Sequence, residues 1–396
     1  MSMRGTADIE RVLADVRLAD GTPVDLVLRG EHIAEVGPGL AAGHPNAQRI
    51  DGQGHVVLPA LVDGHVHLDK TLTGMPWMPH PAGPTRASRI ETEARLRASL
   101  PPVAERAANL VRCAIAHGTT AIRSHADIDP DIGLSHVHAL LEVRERFVAQ
   151  VRIQIVAFPQ RGVACLPGMA DLLDAAVADG ADLVGGIDPI TFDGTPGAQY
   201  DALFAVASRH DCGVDVHLHD AGADGLAETT ALAEYATRHG LEGRVTVSHG
   251  FSLGAAGDDD FVRVADRMAA ARLSLVTHGG AASPLPPVKR LREHGVEVFA
   301  GNDDVRDTWS PFGNGDMLQR AMLLAWRSGF RTDGDLALAF ECASAAGARV
   351  LGFSGHGLAP GCRADLFTVP AQTLAEAVAQ CPARALVLHG GRVVPA

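Results

Sequence analysis

The chain has 396 residues, 46% hydrophobic and 20% charged, the composition of an ordinary globular protein with ample material for a buried core. Its 34 Lys and Arg face 47 Asp and Glu, a formal net charge of -13. That balance argues against a nucleic-acid or anionic-membrane partner, since both require a basic face. Six scattered cysteines, with no CxxC pair, read as reduced thiols, and the opening MSMRGTADIE holds no apolar signal core, so a cytoplasmic protein is expected.

Residues 1–57 contain ADVRLADGTPVDLVLRGEHIAEVGPG, which alternates apolar and polar residues around Asp20-Gly21 and Arg29-Gly30, two hairpin turns. Residues 356–396 do the same in CRADLFTV and ALVLHGGRVV, turning at Gly390-Gly391. Each hairpin alone lacks partners, so the two ends together predict a small β-sandwich domain formed from both chain termini.

Between them, over residues 58–355, short apolar strands alternate with helical stretches. The strands are VVLPALVDGHVHL, TTAIRSHADI, RIQIVAFPQ, DLVGGIDPI, GVDVHLHD, RVTVSHG, RLSLVTHGG and VEVFAGNDD; helices such as PVAERAANLVRCAIAHG and LAETTALAEYATRHG each close on a glycine. Eight such repeats predict an α/β fold, a (β/α)8 TIM barrel. A doubly wound sheet is the alternative, but no GxGxxG follows the first strand.

Every one of these strands ends in polar groups, and a barrel gathers strand C-termini at one mouth. His65 and His67, two residues apart, face the same side of a strand, with Val66 opposite. His217 ends the fifth strand and Asp303 the eighth, so three imidazoles and a carboxylate suit one divalent metal, Zn or Fe, with a water completing the shell. The bland reading is four unrelated polar residues at strand ends. His117, His136, His138, His210 and His239 fall in helices or at their ends and read as surface residues.

VDGHVHLDK, QIVAFPQ, DVHLHD, VTVSHG and GNDDVRDTWSPFGNGDML, in this order, resemble the cytosine deaminase branch of the amidohydrolase superfamily. They are also similar to N-isopropylammelide isopropyl amidohydrolase. The resemblance runs from the first strand to the helix after the eighth, and the terminal β-structure matches too. It implies a metal-dependent hydrolytic deaminase that attacks a C–N bond of a small nitrogen heterocycle (cytosine, another aminopyrimidine or an aminotriazine) through a metal-activated water. On that pattern His65, His67, His217 and Asp303 are the metal ligands, Asp303 also accepts the water's proton, and His249 orients the water or substrate. Gln160 falls on the glutamine that bonds the ring, Asp304 on the aspartate beside the departing amine, and Trp309 on a pocket tryptophan. The fourth strand, DLVGGIDPI, lacks the lysine of two-metal relatives, so one metal is implied.

One departure concerns the proton shuttle. Cytosine deaminases place a glutamate three residues after the fifth-strand histidine; this chain has Asp220, preceded by His219, so either residue is open to that role and cytosine itself is put in doubt. Lys70 reads equally as a pocket cation or a solvated loop lysine, and Asp188 is a further residue at the mouth. The segment MPWMPHPAGPTRASRIETEARLR is expected to cover the mouth as a lid, with Met75, Trp77 and Met78 either lining the pocket or packing the loop. Asp258 to Asp260 read as a solvated loop tip, and Asp316 as the cap of the helix that follows it. The resemblance makes a homo-oligomer plausible. Two other functions stay open: a hydantoinase-like cyclic amide ring-opening hydrolase, against which the missing lysine counts, and a non-catalytic ligand-binding barrel.

Overall fold

The computed structural model describes residues 9–394 except 81, 82, 84, 281 and 282. Four strands open the chain: β1 (Glu10–Arg17), β2 (Pro23–Arg29), β3 (His32–Gly37) and β4 (Gln48–Pro59). β1 and β2 form a hairpin across Asp20-Gly21, where Gly21 takes a φ of 88°, and β2 and β3 turn at Arg29-Gly30. β4 lies parallel to β1.

The barrel follows as eight parallel strands in sequential order: β5 (Leu61–Val66), β6 (Thr119–Asp127), β7 (Arg152–Phe158), β8 (Leu183–Ile187), β9 (Gly213–Leu218), β10 (Val245–His249), β11 (Ser274–Thr277) and β12 (Glu297–Ala300). All eight expected strands are present. The first is not one strand, however, because the chain changes sheets at Ala60. Its N–H bonds Asp365 on the terminal side, while that of Leu61 bonds Gly118 on the barrel side. No break in hydropathy marks this crossing.

Closure joins β12 to β5. Asp303 N–H donates to the His65 carbonyl (2.8 Å), and Asn302 donates from N and Nδ2 to the Asp63 carboxylate (2.9 and 2.7 Å). A Cβ on Gly301 would stand 2.5 Å from the backbone N and O of His65, so only glycine lets the last strand approach the first this closely.

After the barrel, β13 (Leu366–Val369), β14 (Leu386–His389) and β15 (Arg392–Val393) return to the terminal sheet, β13 pairing antiparallel with β4 and β15 closing a hairpin through Gly390-Gly391. The expected sandwich is, in its hydrogen bonding, one continuous seven-stranded sheet, β15-β14-β13-β4-β1-β2-β3. Strand alternation divides its apolar residues. Val57 and Leu366 join Leu13, Leu26 and Leu28 in the sheet's own core, while Val56, Leu58, Phe367 and Val369 enter the barrel's core. Among the described residues no helix is long and apolar enough to cross a membrane.

Candidate active site

His65 lies in β5, His67 just follows it, His217 lies in β9 and Asp303 follows β12; the fold brings all four together. Asp303 Oδ1 stands 3.3 Å from His65 Nε2 and 3.5 Å from His67 Nε2, and His67 Nε2 stands 3.3 Å from His217 Nε2. Donors ~2.1 Å from a shared ion, at angles of about 90–110°, lie about 3.0–3.4 Å apart, close to these three distances; His65, His67 and His217 fall in one candidate metal group with His125, and Asp303 joins His65 and His67 in two adjoining ones. The tautomers fit as well. Ser248 Oγ donates to Asp215 (2.5 Å) and so accepts from His65 Nδ1 (3.0 Å), which leaves the His65 Nε2 lone pair aimed at the cluster, buried and without a hydrogen-bond partner. Burial, then Lys70 and His125, holds His67 well below the ordinary histidine range. Burial and His125 do the same to His217, so both are neutral donors. Burial opposes ionisation of Asp303, but His249 and then His278 outweigh it and hold the carboxyl well below its ordinary range.

His125 belongs to this group, although the sequence offered only one more histidine at a strand end. Its ring is 4.2 Å from that of His65 and 4.6 Å from that of His217, and burial, then His65, pushes it down to about 4. His249 stacks on His219 (4.4 Å) and stands 5.0 Å from His65. Nine described non-glycine residues have positive φ, and three of them, Asp188, His249 and Asp303, sit at the C-terminal ends of barrel strands. Backbone strain is thus present at three points where site side chains are aimed.

His219 and Asp220 part company. Asp188 accepts from His219 Nδ1 (2.8 Å) and from its N–H (2.5 Å), which frees His219 Nε2 for the cavity. Asp220 instead accepts from Arg86 (2.8 Å) and Thr191 (2.6 Å), away from the cavity lining. Arg86 also pairs with Asp188. Behind them, burial and then Asp220 and Asp188 push the Glu228 carboxyl up to about 8.

A cavity over the cluster is lined by His67, Lys70, Phe158, Gln160, Ile187, His217, His219, Asp303, Asp304 and Trp309. Lys70 is buried in it, not solvated. Its Nζ donates to Gln160 Oε1, stands 3.2 Å from Asp127 and 3.7 Å from Glu93, and lies 5.3 Å over the Trp309 ring. Burial alone would lower its pKa, but Asp127, Glu93 and Asp69 reverse that and keep it charged. Burial, then Asp307 and Asp303, raises Asp304 well above the carboxylate range, and burial pushes Asp307 up to about 6.

The lid segment supplies the helix Arg86–Arg97, whose Thr85 side chain accepts from Ser88 N–H. Arg86 anchors one end to Asp188 and Asp220. Glu93, missed by sequence reasoning, reaches the cavity wall from the other and accepts from Trp309 Nε1 (2.7 Å) and Gln160 Nε2 (3.4 Å). Only helical docking aims these two groups, and composition carries no sign of it. Trp77 is 65% exposed against Arg306, and neither it nor Met75 or Met78 lines the cavity. Two expectations are corrected. His136 is not a surface residue; it is buried, with Nδ1 2.7 Å from Asp69. Asp258 to Asp260 form the first turn of the helix Asp258–Ala270, not a loop tip, where the helix dipole favours acids. Asp316 caps Met317–Arg327 as expected, accepting from Leu318 and Gln319 N–H.

Comparison with known proteins fixes the lineage of this constellation. A family model described as the Amidohydrolase family matches residues 48–395. This chain belongs to the amidohydrolase family. As such it is a metal-dependent hydrolase of non-peptide C–N bonds. The amidohydrolase superposes with a TM-score of 0.93 on N-isopropylammelide isopropylaminohydrolase from Burkholderia multivorans, at 43% identity over 97% of this chain and 98% of that one. It is 31% identical to N-isopropylammelide isopropyl amidohydrolase of Pseudomonas sp. strain ADP, over 87% of each. 5-Methylcytosine deaminase from Klebsiella pneumoniae, liganded with 5-fluorocytosine, matches with a TM-score of 0.85 and 26% identity over 97% of both chains.

Proposed function

We propose that this amidohydrolase hydrolyses the exocyclic C–N bond of an aminated azaheterocycle, a hydroxylated aminotriazine before a cytosine, releasing ammonia or an alkylamine. One Zn or Fe ion held by His65, His67, His217 and Asp303 is the cofactor. The observation that carries the reading is the 3.3–3.5 Å spacing among donors drawn from β5, β9 and the end of β12. The candidate clusters around it reuse His65, His67 and Asp303, which favours one ion over two, and β8 reads LVGGI without a lysine.

His65, His67, His217 and Asp303 would hold a divalent cation, which would acidify a bound water towards a pKa of ~7. Asp303 is charged and accepts the water's proton. His249 faces the developing oxyanion. Of the two residues left open by the sequence, His219 suits the proton shuttle better. Asp188 fixes its Nδ1–H, so Nε2 is the atom that carries the proton to the departing nitrogen, whereas the Asp220 carboxylate is engaged by Arg86 and Thr191. Lys70 and Gln160 hold the ring's polar edge, Trp309 covers its face, and Asp304 meets the amine.

The closer likeness to the ammelide enzymes than to the cytosine enzyme supports a triazine-type ring. Metal-replete protein should release isopropylamine from N-isopropylammelide faster than ammonia from cytosine. Ring opening of a hydantoin in preference to both would sink the proposal.

A further inference from the structure

We propose that the natural substrate carries on its leaving amine an apolar group larger than isopropyl, seated in a vestibule of about 840 Å³ beside the reacting centre. This rests on the exocyclic C–N reading above. Asp303, Asp304 and Trp309 line both the inner cavity and the vestibule, so a substituent departing past Asp304 enters the larger space directly. An isopropylamine has four heavy atoms and displaces about four water volumes, on the order of 100 Å³. The vestibule is several times larger.

One side of its wall is apolar, while Arg89, Gln319, Arg320 and Arg327 also line it. Met322 and Leu323 lie four and three residues before Trp326 on the helix Met317–Arg327, so both neighbour it on one side. Phe312 faces them from the turn at Gly313, whose φ is 98°. Phe312 and Trp326 are 78% and 76% exposed, a large unburied aromatic area for a protein with 12 Phe and 3 Trp. The helix is tied to the site itself. Arg320 donates to the His278 carbonyl (2.5 Å) and the Asn302 carbonyl (3.1 Å), so the apolar wall and Asp303 keep one geometry. A flexible alkyl or flat aryl amine substituent is the ligand that suits the apolar side of this wall.

The test uses the full-length, metal-replete enzyme and hydroxytriazines whose amine bears methyl, ethyl, isopropyl, butyl, cyclohexyl or benzyl, with the shared ring product as readout. The expected result is a kcat/KM that climbs about threefold to fourfold per added methylene beyond isopropyl. Phe312→Ser and Trp326→Ser should each cut the benzyl-to-methyl ratio by about fivefold or more. A profile that is flat or falling beyond isopropyl, with isopropyl itself turned over, overturns the inference and leaves the C–N reading intact. So does a ratio unchanged in both variants, or a solution oligomer that shields Trp326 from a fluorescence quencher. Absence of turnover throughout the series sinks the C–N reading and this inference with it.

Discussion

His219 and Asp220 are neighbours in the chain, yet one points at the cavity and the other at Arg86. Sequence spacing put both near His217, the proposed metal ligand, but could not choose between them, because the choice depends on Asp188, a residue that follows another strand. His219→Gln should therefore lower kcat by about 10²–10⁴ without loss of metal, and Asp188→Asn should follow it by releasing the imidazole. Full turnover by His219→Gln would return the proton to Asp220. Glu228 offers a separate check through pH. Its ordinary pKa is 4.5 and the folded chain raises it to about 8. The unfolded chain thus loses this proton first, and the resulting penalty on folding grows from pH 4.5 to 8 and is complete above that. Glu228→Gln keeps an acceptor for Ile190 N–H and a donor toward Asp220. It should match the native stability near pH 4.5 and exceed it above pH 8, by at most about 5 kcal/mol. A difference independent of pH in chemical denaturation would contradict the assignment.

Strands were legible because each is a short apolar run punctuated by polar residues, and eight of them allow few architectures. What the pattern hid was the sheet change at Ala60 and the aim of the lid helix, since both depend on partners distant in sequence. Barrel closure belongs to this level too. Gly301 and the Asp63–Asn302 pair hold β12 against β5, and through them Asp303 against His65. Gly301→Ala inserts a methyl where His65 backbone atoms already lie at 2.5 Å. It should cost several kcal/mol, on the order of 2–4, as overpacking does at its worst, and it should reduce metal content together with Tm. An unchanged Tm would show that the closure is looser than described. In the lid helix, Glu93→Ala removes the acceptor of Trp309 and Gln160 and one partner of Lys70, so KM should rise more than kcat falls.

The two sheets are one folding problem. Val56, Leu58, Phe367, Val369 and Val387 leave the terminal sheet to pack in the barrel's apolar cluster, and Arg384 pairs with Asp316 at the cap of Met317–Arg327. Deleting residues 356–396 would strip β13, β14 and β15 from β4 and expose that cluster. The shortened chain should fail to give a soluble, cooperatively unfolding protein, and a sharp thermal transition from it would refute this coupling. The terminal hairpins were readable from their turn residues; their second role, sealing the barrel, was not, because strand alternation alone does not say what the outer face meets. The proposed activity requires that four side chains from the ends of three strands bind one ion. Elemental analysis of the native protein, His217→Ala and Asp303→Asn, each checked for unchanged secondary structure, tests this most directly. One Zn or Fe per chain in the native protein and its loss in both variants is the predicted result; undiminished metal in the variants, or turnover by metal-free native protein, would contradict it.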